Sequence, residues 1–314
     1  MAILAVISQS TAVFIGLSHD QNFKTTSIPL DADGTQLVPK IAEFIHDAST
    51  EAQLQAVVIA GDFPPHISPT SLQHNLQTRL SVPCCILNDN LFEVILEEAH
   101  YTGFSAMPRT FKGPKLELCY AAALAAEELQ IHPENSSFVV AYLGDAISTA
   151  AVAGGRIIDM SVWLDEGPFA VHSSGGLPFA ALLQLCASAS NRHEVLKEVS
   201  EQGGLKGYLG VESLSEAEEL ALKNHEADLI YSAFVYQLAK EIGAYRAVLK
   251  GKFDALVLTG PMLPVNGLKG LSAYFGNAVL LYYPGDLSLQ AAVHFGQRLI
   301  NSRKGNHHGL CQTP

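Results

Sequence analysis

A polar, glycine-rich loop near the middle of the chain contains residue types that bind anions. It runs from Gly167 to Pro178 and includes His172-Ser-Ser-Gly-Gly176. Glycine lets backbone N–H groups converge on a phosphate or carboxylate, and His172 is the titratable group of this loop near neutral pH. The loop therefore predicts a small binding pocket. A surface histidine that only donates a hydrogen bond is the alternative interpretation of His172.

Three further stretches place polar or charged residues where ligands bind. Ser8–Thr11 lies between two apolar runs, as a phosphate-binding turn would, but it has neither the glycine nor the lysine of such a turn. Asn88-Asp89-Asn90 follows a buried strand, at the edge where open α/β sheets bind ligands. Arg109, Lys112 and Lys115 form a small basic cluster that either contacts an anion or is a solvated loop.

Composition excludes several classes of partner. The chain has 314 residues, with 31 acidic and 19 basic side chains and a net charge of −12. The absence of a basic stripe argues against nucleic acid or an anionic membrane as the main partner. No apolar run approaches the roughly 18 residues of a membrane span, so we expect a cytoplasmic protein. The five cysteines are an odd number without metal-ligand spacing, which favours neither a disulfide framework nor a metal site.

The order of the elements predicts an α/β fold with two similar halves. Two short N-terminal strands are followed by a helix at 36–48, a strand at 55–60, a helix at 68–80 and a strand at 84–87, which implies a parallel crossover. We also expect a helix at 91–99. Three strands begin again near residue 137 and are followed by helices, so the second half is interpreted as a structural repeat of the first.

The predicted boundaries follow from this repeat. Residues 1–136 form an N-terminal domain and residues 137–286 a C-terminal domain. A closing helix at 287–300 packs back on the N-terminal domain, and residues 301–314 form a tail.

The second half resembles the butyrate kinases, within the acetate kinase branch of the sugar kinase, Hsp70 and actin superfamily. The resemblance covers about residues 137–300, and the order and spacing of its segments match. The segments that carry it are Gly155-Arg-Ile-Ile-Asp159, Leu164-Asp-Glu-Gly-Pro-Phe169, Ser174-Gly-Gly-Leu-Pro178, Gly203-Gly-Leu-Lys-Gly-Tyr-Leu-Gly210, Tyr236-Gln-Leu-Ala-Lys-Glu-Ile-Gly243, Val248–Gly260 and Tyr283-Pro-Gly285.

The resemblance implies two actin-like (ribonuclease H-like) α/β domains, each with a mixed five-stranded sheet flanked by helices, and an ATP cleft between them. Members of the family transfer the γ-phosphoryl group of ATP to a short-chain carboxylate and use Mg²⁺. ATP and Mg²⁺ are therefore the expected cofactors if this chain is active. The family's metal-orienting acid falls on Ser288 or Gln290, so we assign no metal ligand.

The first domain departs from the family where phosphate is bound. The first phosphate turn is reduced to the residues around Ser10 and Thr11. The family's glycine-arginine-glycine turn reads Gly61-Asp62-Phe63, which reverses a charge. Asn88 lies at the position of a catalytic aspartate, unless the register shifts to Asp89.

The second domain departs in the same way. The second phosphate turn reads Tyr142-Leu-Gly144-Asp145-Ala, which puts a carboxylate where phosphate approaches glycine backbone. The family's arginine before Ser-Gly-Gly falls on Ser173, and the adenosine-side Gly-Gly reads Gly260-Pro261. The expected nucleotide-binding residues are thus Ser10, Thr11, Gly144, Asp145 and Gly260.

Three functional hypotheses follow. The first is a catalytically degenerate butyrate or acetate kinase-like protein that acts as a binding or regulatory subunit, with a substrate pocket at Gly61, Asp62, Gly175 and Gly176. The second is an active short-chain carboxylate kinase that forms butyryl phosphate and ADP from butyrate and ATP, in which Arg156, Arg109 or Lys112 replaces the missing charge. The third is a carboxylate or acyl-phosphate binder that has lost only the nucleotide. We expect a homodimer and a small carboxylate or nucleotide as ligand.

Overall fold

The computed structural model describes residues 2–9, 12–19, 22–29, 36–48, 54–162, 165–189 and 191–305. The chain divides into two compact units, Met1–Leu91 with Leu287–Pro314, and Phe92–Asp286. Each unit has its own five-stranded sheet of mixed direction with helices against it. The predicted α/β class with two mixed five-stranded sheets is therefore confirmed. Among the described helices, none combines the length and the apolar character needed to cross a membrane.

The first unit is built on a sheet with the strand order β3-β2-β1-β4-β5. The first three strands are antiparallel neighbours, whereas β4 and β5 run parallel to β1. Leu4 and Val6 pack into the core on the side of the first two helices. The elements of this unit are β1 (Ala2–Gln9), β2 (Ala12–His19), β3 (Asn22–Pro29), α1 (Leu37–Ala48), β4 (Leu54–Gly61), α2 (Pro69–Leu80), β5 (Cys84–Ile86) and, from the end of the chain, α9 (Ser288–Gly305).

The last helix, α9, covers the other face of the first sheet, where it contacts β1, β2, β4 and β5. Two glycines allow its close approach. A Cβ at Gly16 of β2 would lie 2.9 Å from Leu289 Cδ1, and a Cβ at Gly296 of α9 would collide with Val58. The side chain of Val58 is fully buried there.

The second unit has the strand order β10-β9-β6-β7-β8. β6, β9 and β10 are parallel, and β7 is antiparallel to both of its neighbours. Phe234, Leu238 and Ile242 of α8 pack against one face of the sheet. Its elements are α3 (Lys115–Glu128), β6 (Ser137–Leu143), β7 (Ile147–Ala153), β8 (Arg156–Met160), α4 (Phe179–Ser188), α5 (Arg192–Glu201), α6 (Gly204–Leu209), α7 (Leu214–Ala221), α8 (His225–Val248), β9 (Ala255–Gly260) and β10 (Leu280–Pro284).

Residues 92–136 pack with the second sheet, although the sequence analysis assigned them to the first domain. The compact units divide after Leu91, not after residue 136. α3 lies against β6 and β9, and its buried alanines allow this contact. The segment before α3 runs beside β8, where Val94 N–H donates to Ile157 O at 2.8 Å. The order of the predicted elements along the chain suggested a domain boundary at residue 136. Residues 92–136 belong to the second unit because they pack against its sheet.

Two local predictions differ from the structure. Residues 91–99 were expected to be helical, but Leu96 N–H donates to Ile158 O at 2.9 Å, and the segment contains only the 3₁₀ turn Glu97–His100 and the last residue of another, Asp89–Leu91. β3 was not predicted, because residues 24–27 are polar and exposed, so the strand lacks the apolar alternation that identifies a half-buried strand.

Candidate functional site

The turn between β6 and β7 lies at the carboxyl edge of the second sheet, beside the end of β9. Gly260 ends β9 with a φ of +114°, and a Cβ there would collide with the carbonyl oxygen of Leu143. The N–H of Met262 donates to the same oxygen at 3.0 Å. Because these backbones touch, the structure brings together three of the predicted nucleotide-binding residues, Gly144, Asp145 and Gly260.

Asp145 begins a chain of paired charges on this edge. His172 Nδ1 is 3.2 Å from Asp145 Oδ1, and His172 Nε2 is 2.9 Å from Glu212 Oε2. Lys206 Nζ lies 2.8 Å from the other oxygen of Glu212. Both histidine contacts are hydrogen bonds only when both ring nitrogens carry a proton. Hydrogen bonds from Lys206 and then His172 lower the pKa of Glu212. The side chain of Asp145 is 73% exposed, so its carboxylate faces any ligand that approaches the turn.

A second acidic group lies beside the same turn. Glu117, in the first turn of α3, is largely removed from water, and this burial raises its pKa to about 7; the Asp286 charge acts in the same direction. Burial, and then Glu117, Asp286 and Asp145, raise the pKa of Tyr142. Elements that are distant in sequence thus bring three carboxylates near one phenol.

The glycine-rich loop folds back on itself. Ser173 is buried, and its hydroxyl accepts a hydrogen bond from Gly175 N–H at 3.2 Å. Gly175 has a φ of +63°, which favours glycine, and Gly176 N–H donates to Gly167 O at 3.1 Å. Gly176 lines a cavity of about 430 Å³ next to α6 and α8. The Ser173 hydroxyl is therefore engaged within the loop at the position where the resemblance implied an arginine.

The predicted residues of the first unit lie at the carboxyl edge of its own sheet. Ser8 of β1 pairs with Gly61 of β4, and the Ser8 hydroxyl donates to the backbone oxygen of Asp62 at 2.8 Å. Gly61 has a φ of +88°, and a Cβ there would collide with Ser8 O. Asn88 is exposed just after β5. The predicted residues Ser10 and Thr11 lie outside the described residues.

Arg109, in the basic cluster, was one of the residues that could replace a missing positive charge in the active-kinase hypothesis. Its guanidinium is instead engaged by carboxylates of the protein. The Arg109 guanidinium donates to both Glu166 oxygens at 2.9 and 2.8 Å and to Asp159 at 3.0 Å. Burial lowers the pKa of Arg109, but the hydrogen bonds and charges of these carboxylates outweigh burial and raise it. Lys115 is buried and pairs with Glu93 at 2.8 Å. Lys112 is exposed.

Arg156 was another residue that could replace a missing charge in the active-kinase hypothesis, and it lies away from the turn between β6 and β7. It is the first residue of β8 and pairs with Ala153 at the end of β7. Since β6 and β8 run in the same direction, Arg156 lies at the edge opposite to Gly144 and Asp145. Five residues of strand, at about 3.3 Å each, separate it from that edge.

Comparison with known proteins identifies the family. Residues 111–264 match the acetokinase family. A probable butyrate kinase of Thermotoga petrophila is 32% identical over 225 residues, which are 70% of this chain and 62% of that protein. Probable butyrate kinase 1 of Thermotoga maritima is 32% identical over 215 residues, 67% of this chain and 60% of its own length. The chain belongs to the acetokinase family. It spans about three fifths of the length of these relatives.

Solved structures of a propionate kinase and an acetate kinase have the same fold. A propionate kinase from Francisella tularensis has a TM-score of 0.71 and 16% identity, over 93% of this chain and 98% of that one. An acetate kinase from Entamoeba histolytica has a TM-score of 0.73 and 14% identity, over 96% and 100% of the two chains. The expected pair of actin-like domains is thereby confirmed, and the resemblance to a divergent acetate or butyrate kinase is confirmed as well.

ATP and Mg²⁺, which acetokinase-family members use, do not fit the side chains at the edge of the second sheet. Asp145, Glu212, Glu117 and Asp286 contribute carboxylates there, whereas Lys206 already pairs with Glu212. Within the described ranges, no three His, Cys, Asp or Glu side chains are placed to ligate one metal ion. Like charges a few ångströms apart repel by about 1–4 kcal/mol, depending on exposure. The side chains named at this edge are therefore mostly acidic.

Sequence reasoning missed two features of this acetokinase-family chain. Glu117 and Asp286 come from a helix and from a loop after β10, so no local motif joined them. Arg109 was recognised as a candidate, but its pairing with Asp159 and Glu166 was not. Of the acids at this edge of the second sheet, the sequence had indicated only Asp145 as a site residue.

Proposed function

We propose that this chain is an acetokinase-family protein that binds nucleotide weakly, transfers phosphoryl groups poorly or not at all, and acts as a binding or regulatory protein. The observation that carries the proposal is Asp145 in the turn after β6, with its exposed carboxylate next to His172. A turn that receives phosphate on backbone N–H groups loses that ability when a carboxylate occupies the approach.

The surrounding charges support the same conclusion. Phosphoryl transfer depends on positioning and on neutralising negative charge, and loss of one transition-state arginine typically costs about 10³–10⁵ in rate. Here Ser173 stands where the family resemblance implied arginine, and Arg109 is committed to Glu166 and Asp159. Lys206 pairs with Glu212, and His172, when protonated, pairs with Asp145 and Glu212, so both cations already neutralise carboxylates of the protein.

Isothermal titration with ATP and ADP, with and without Mg²⁺, tests the proposal directly. Weak binding, with a dissociation constant of about 1 mM or above, is expected. Binding in the micromolar range would mean that Asp145 does not repel the nucleotide, and the proposal would then be wrong.

A turnover assay with ATP and C2–C6 carboxylic acids separates the alternatives. Formation of acyl phosphate at an ordinary kinase rate, about 1–100 s⁻¹, would establish the active short-chain carboxylate kinase instead. Titration with butyrate alone identifies the remaining case: saturable binding of the acid without nucleotide binding would indicate a carboxylate or acyl-phosphate binder.

We further propose that the protein is a homodimer. The described side chains of α4 include no buried residue, although the helix is rich in apolar side chains, and Phe179 and Leu183 are 76% and 55% exposed. Exposed apolar surface of this kind is typical of protein interfaces. The chain has a mass of 33.6 kDa, and light scattering after gel filtration should give twice that value. Phe179→Glu should shift the measured mass towards that of the monomer. A monomeric wild-type protein would contradict this proposal.

A further inference from the structure

The second sheet has an open edge beyond β8. Residues 92–96 extend alongside β8, and the N–H groups of Val94 and Leu96 both donate to its backbone. Because alternate N–H groups of an extended chain share one side, those of Glu93 and Ile95 point away from β8. Neither residue uses its N–H or C=O in a hydrogen bond to the backbone of a described residue. Unpaired backbone groups at a sheet edge are a template for the pairing of a further strand.

A groove of about 770 Å³ lies beside this edge. Its apolar lining comes from Val94, Ile95, Leu96 and Tyr101. The side chains of Val94 and Tyr101 are 54% and 81% exposed. None of the residues discussed above as a catalytic, nucleotide or substrate candidate lines the groove. It is therefore an apolar surface that the proposed nucleotide site does not use.

The loop that follows the groove residues also exposes apolar side chains, although hydrogen bonds fix its backbone. Arg109 N–H donates to His100 O at 3.0 Å and closes the loop. Within the loop, the Thr102 hydroxyl lies 2.8 Å from Phe104 O and 2.7 Å from Met107 O. The side chains of Phe104 and Met107 are nevertheless 63% and 66% exposed. Exposed apolar side chains on neighbouring segments are typical of a site that binds another protein.

The charges beside the groove indicate what kind of segment it binds. Glu97 and Glu98 line the groove and are exposed, and neither has an ion-pair partner among the described residues. The lining residues include no lysine or arginine. A second copy of this chain would bring the same glutamates and a net charge of −12 to the contact. Charge complementarity therefore favours a basic segment of a different protein.

We propose that this edge binds an extended segment of a partner protein, with apolar side chains at alternate positions and lysine or arginine beside them. The segment adds a strand to the second sheet by pairing with the free backbone groups of Glu93 and Ile95. Its apolar side chains lie in the groove, and its basic side chains pair with Glu97 and Glu98. In strand addition of this kind, backbone hydrogen bonds supply affinity and alternate side chains supply specificity. The interaction goes beyond the proposed weak nucleotide binding and does not depend on it.

The experiment uses the full chain and a fluorescently labelled peptide with blocked termini, Lys-Val-Thr-Val-Thr-Val-Lys. Fluorescence polarisation should show saturable binding during titration with protein up to about 1 mM, because a site of roughly 0.1 mM affinity is then mostly filled. A peptide with glutamate in place of both lysines should bind at least about tenfold more weakly. This difference should become smaller at high salt, since salt screens exposed charges.

Two methylated forms of the basic peptide test whether it binds as a strand. Alternate N–H groups of an extended peptide point to opposite sides. Methylation of the valine nitrogens therefore blocks one side of the peptide, and methylation of the threonine nitrogens blocks the other. One of these two peptides should lose binding, and the other should retain it, because only one side faces the open edge.

Substitutions in the protein assign the backbone and charge contacts separately. Ile95→Pro removes one backbone donor at the open edge and should weaken binding of the basic peptide at least about tenfold; proline is tolerated on an edge strand where the N–H faces water. Replacing both Glu97 and Glu98 by glutamine should weaken the basic peptide about tenfold and should not weaken the acidic one. Glu194→Gln combined with Glu219→Gln, at exposed positions on α5 and α7, is the matched control and should leave binding unchanged.

Four outcomes would overturn the proposal. The first is the absence of saturable binding of the basic peptide at about 1 mM protein. The second is equal affinity for the basic and acidic peptides, and the third is unchanged binding of both methylated peptides. The fourth is a dimer that Ile95→Pro converts to a monomer, which would make a second copy of the chain the occupant. Thermal unfolding checks that each variant is folded, and the double glutamine variant at Glu97 and Glu98 keeps the test decisive if Ile95→Pro is unstable.

Discussion

At the scale of single residues, the carboxyl edge of the second sheet concentrates acids around the turn after β6. The Asp145 carboxylate is exposed, and its contact with His172 ties it to Glu212. Glu117 is half-buried and lies close enough to Asp286 for their charges to interact. The two carboxylates lead to different predictions. The exposed charge of Asp145 mainly affects ligand binding, whereas the partly buried carboxyl group of Glu117 mainly affects the stability of the fold.

Replacing Asp145 by asparagine should strengthen nucleotide binding. The substitution removes one negative charge from the turn and retains the shape of the side chain. A screened like-charge contact of about 1 kcal/mol corresponds to about fivefold in affinity, so the dissociation constant for ATP should fall by about that factor. Asp47→Asn, on α1 of the first unit, changes the net charge equally and serves as the control. Equal effects of the two substitutions in isothermal titration would count against a local role of Asp145.

Glu117→Gln should stabilise the protein at alkaline pH and not at acidic pH. The folded-state pKa of Glu117 is raised to about 7 from 4.5, so the folded protein retains a proton that the unfolded chain has lost. Stability therefore falls as the pH rises from about 4.5 to 7, and the cost above pH 7 is on the order of 3 kcal/mol. Glutamine mimics the protonated acid and avoids this cost.

Denaturant unfolding at about pH 4.5 and pH 8 measures this effect. Glu127→Gln is the matched control, because Glu127 is exposed on the same helix. A gain in the free energy of unfolding that is the same at both pH values would contradict the assignment.

The residues of the candidate site differ in how far sequence could predict them. Gly144 and Asp145 follow β6 and Gly260 ends β9, so pattern and resemblance could assign all three to one nucleotide site. The position of Arg156 was misjudged because it is the first residue of β8. The direction in which β8 runs decides at which edge of the sheet Arg156 lies, and that direction follows from the pairing of β8 with β7. Glu117 and Asp286 meet only through packing of distant elements, which no local spacing encodes.

At the scale of elements, one arginine fixes the segment before α3 to the second sheet. Arg109 reaches Asp159 and the Met160 carbonyl of β8, Glu166 in the following loop, and the Ala99 carbonyl of its own segment at 2.8 Å. Its guanidinium also lies 4.8 Å from the ring centre of Phe111. A planar group with five donors makes all of these contacts at once, whereas a lysine ammonium has three donors on one atom.

Arg109→Lys should therefore loosen residues 92–113 while leaving the rest of the fold in place. We expect faster amide hydrogen exchange in that segment and a loss of about 1–3 kcal/mol in stability, because the bidentate contact to Glu166 is lost and carboxylates remain partly buried. Arg79→Lys, at an exposed position near the end of α2, is the control. Unchanged exchange in residues 92–113 would contradict this role of Arg109.

Residues 92–113 also illustrate which elements could be predicted from the sequence and which could not. Amphipathic helices such as α8, and buried strands such as β4 and β9, follow from periodicity because their own residues form the core. Residues 92–96 and β3 instead take their conformation from hydrogen bonds to a neighbouring strand. A tertiary contact of this kind overrides local preference.

At the scale of the whole molecule, the chain leaves its first unit after Leu91 and returns to it at Leu287. The first sheet therefore lacks one of its covering layers until the final helix is present. Ala291 and Ala292 of α9 are fully buried, and the contact of Gly296 with Val58 leaves no room for a side chain. The stability of the first unit thus depends on a segment that is about 200 residues away in sequence.

A chain ending at Asp286 should lose the structure of its first unit and keep that of its second. Without α9, one face of β1 and β4 would be open to water, at a cost of about 25 cal/mol for each Å² of apolar surface, against a total stability of only about 5–15 kcal/mol for a typical domain. Hydrogen exchange should therefore become fast in peptides from β1 and β4, while β6 and β9 stay protected. A chain ending at Gly305 retains α9 and should behave as the full-length protein. Continued protection of β1 in the shorter chain would mean that α1 and α2 alone stabilise the first sheet, and that α9 contributes little to its folding.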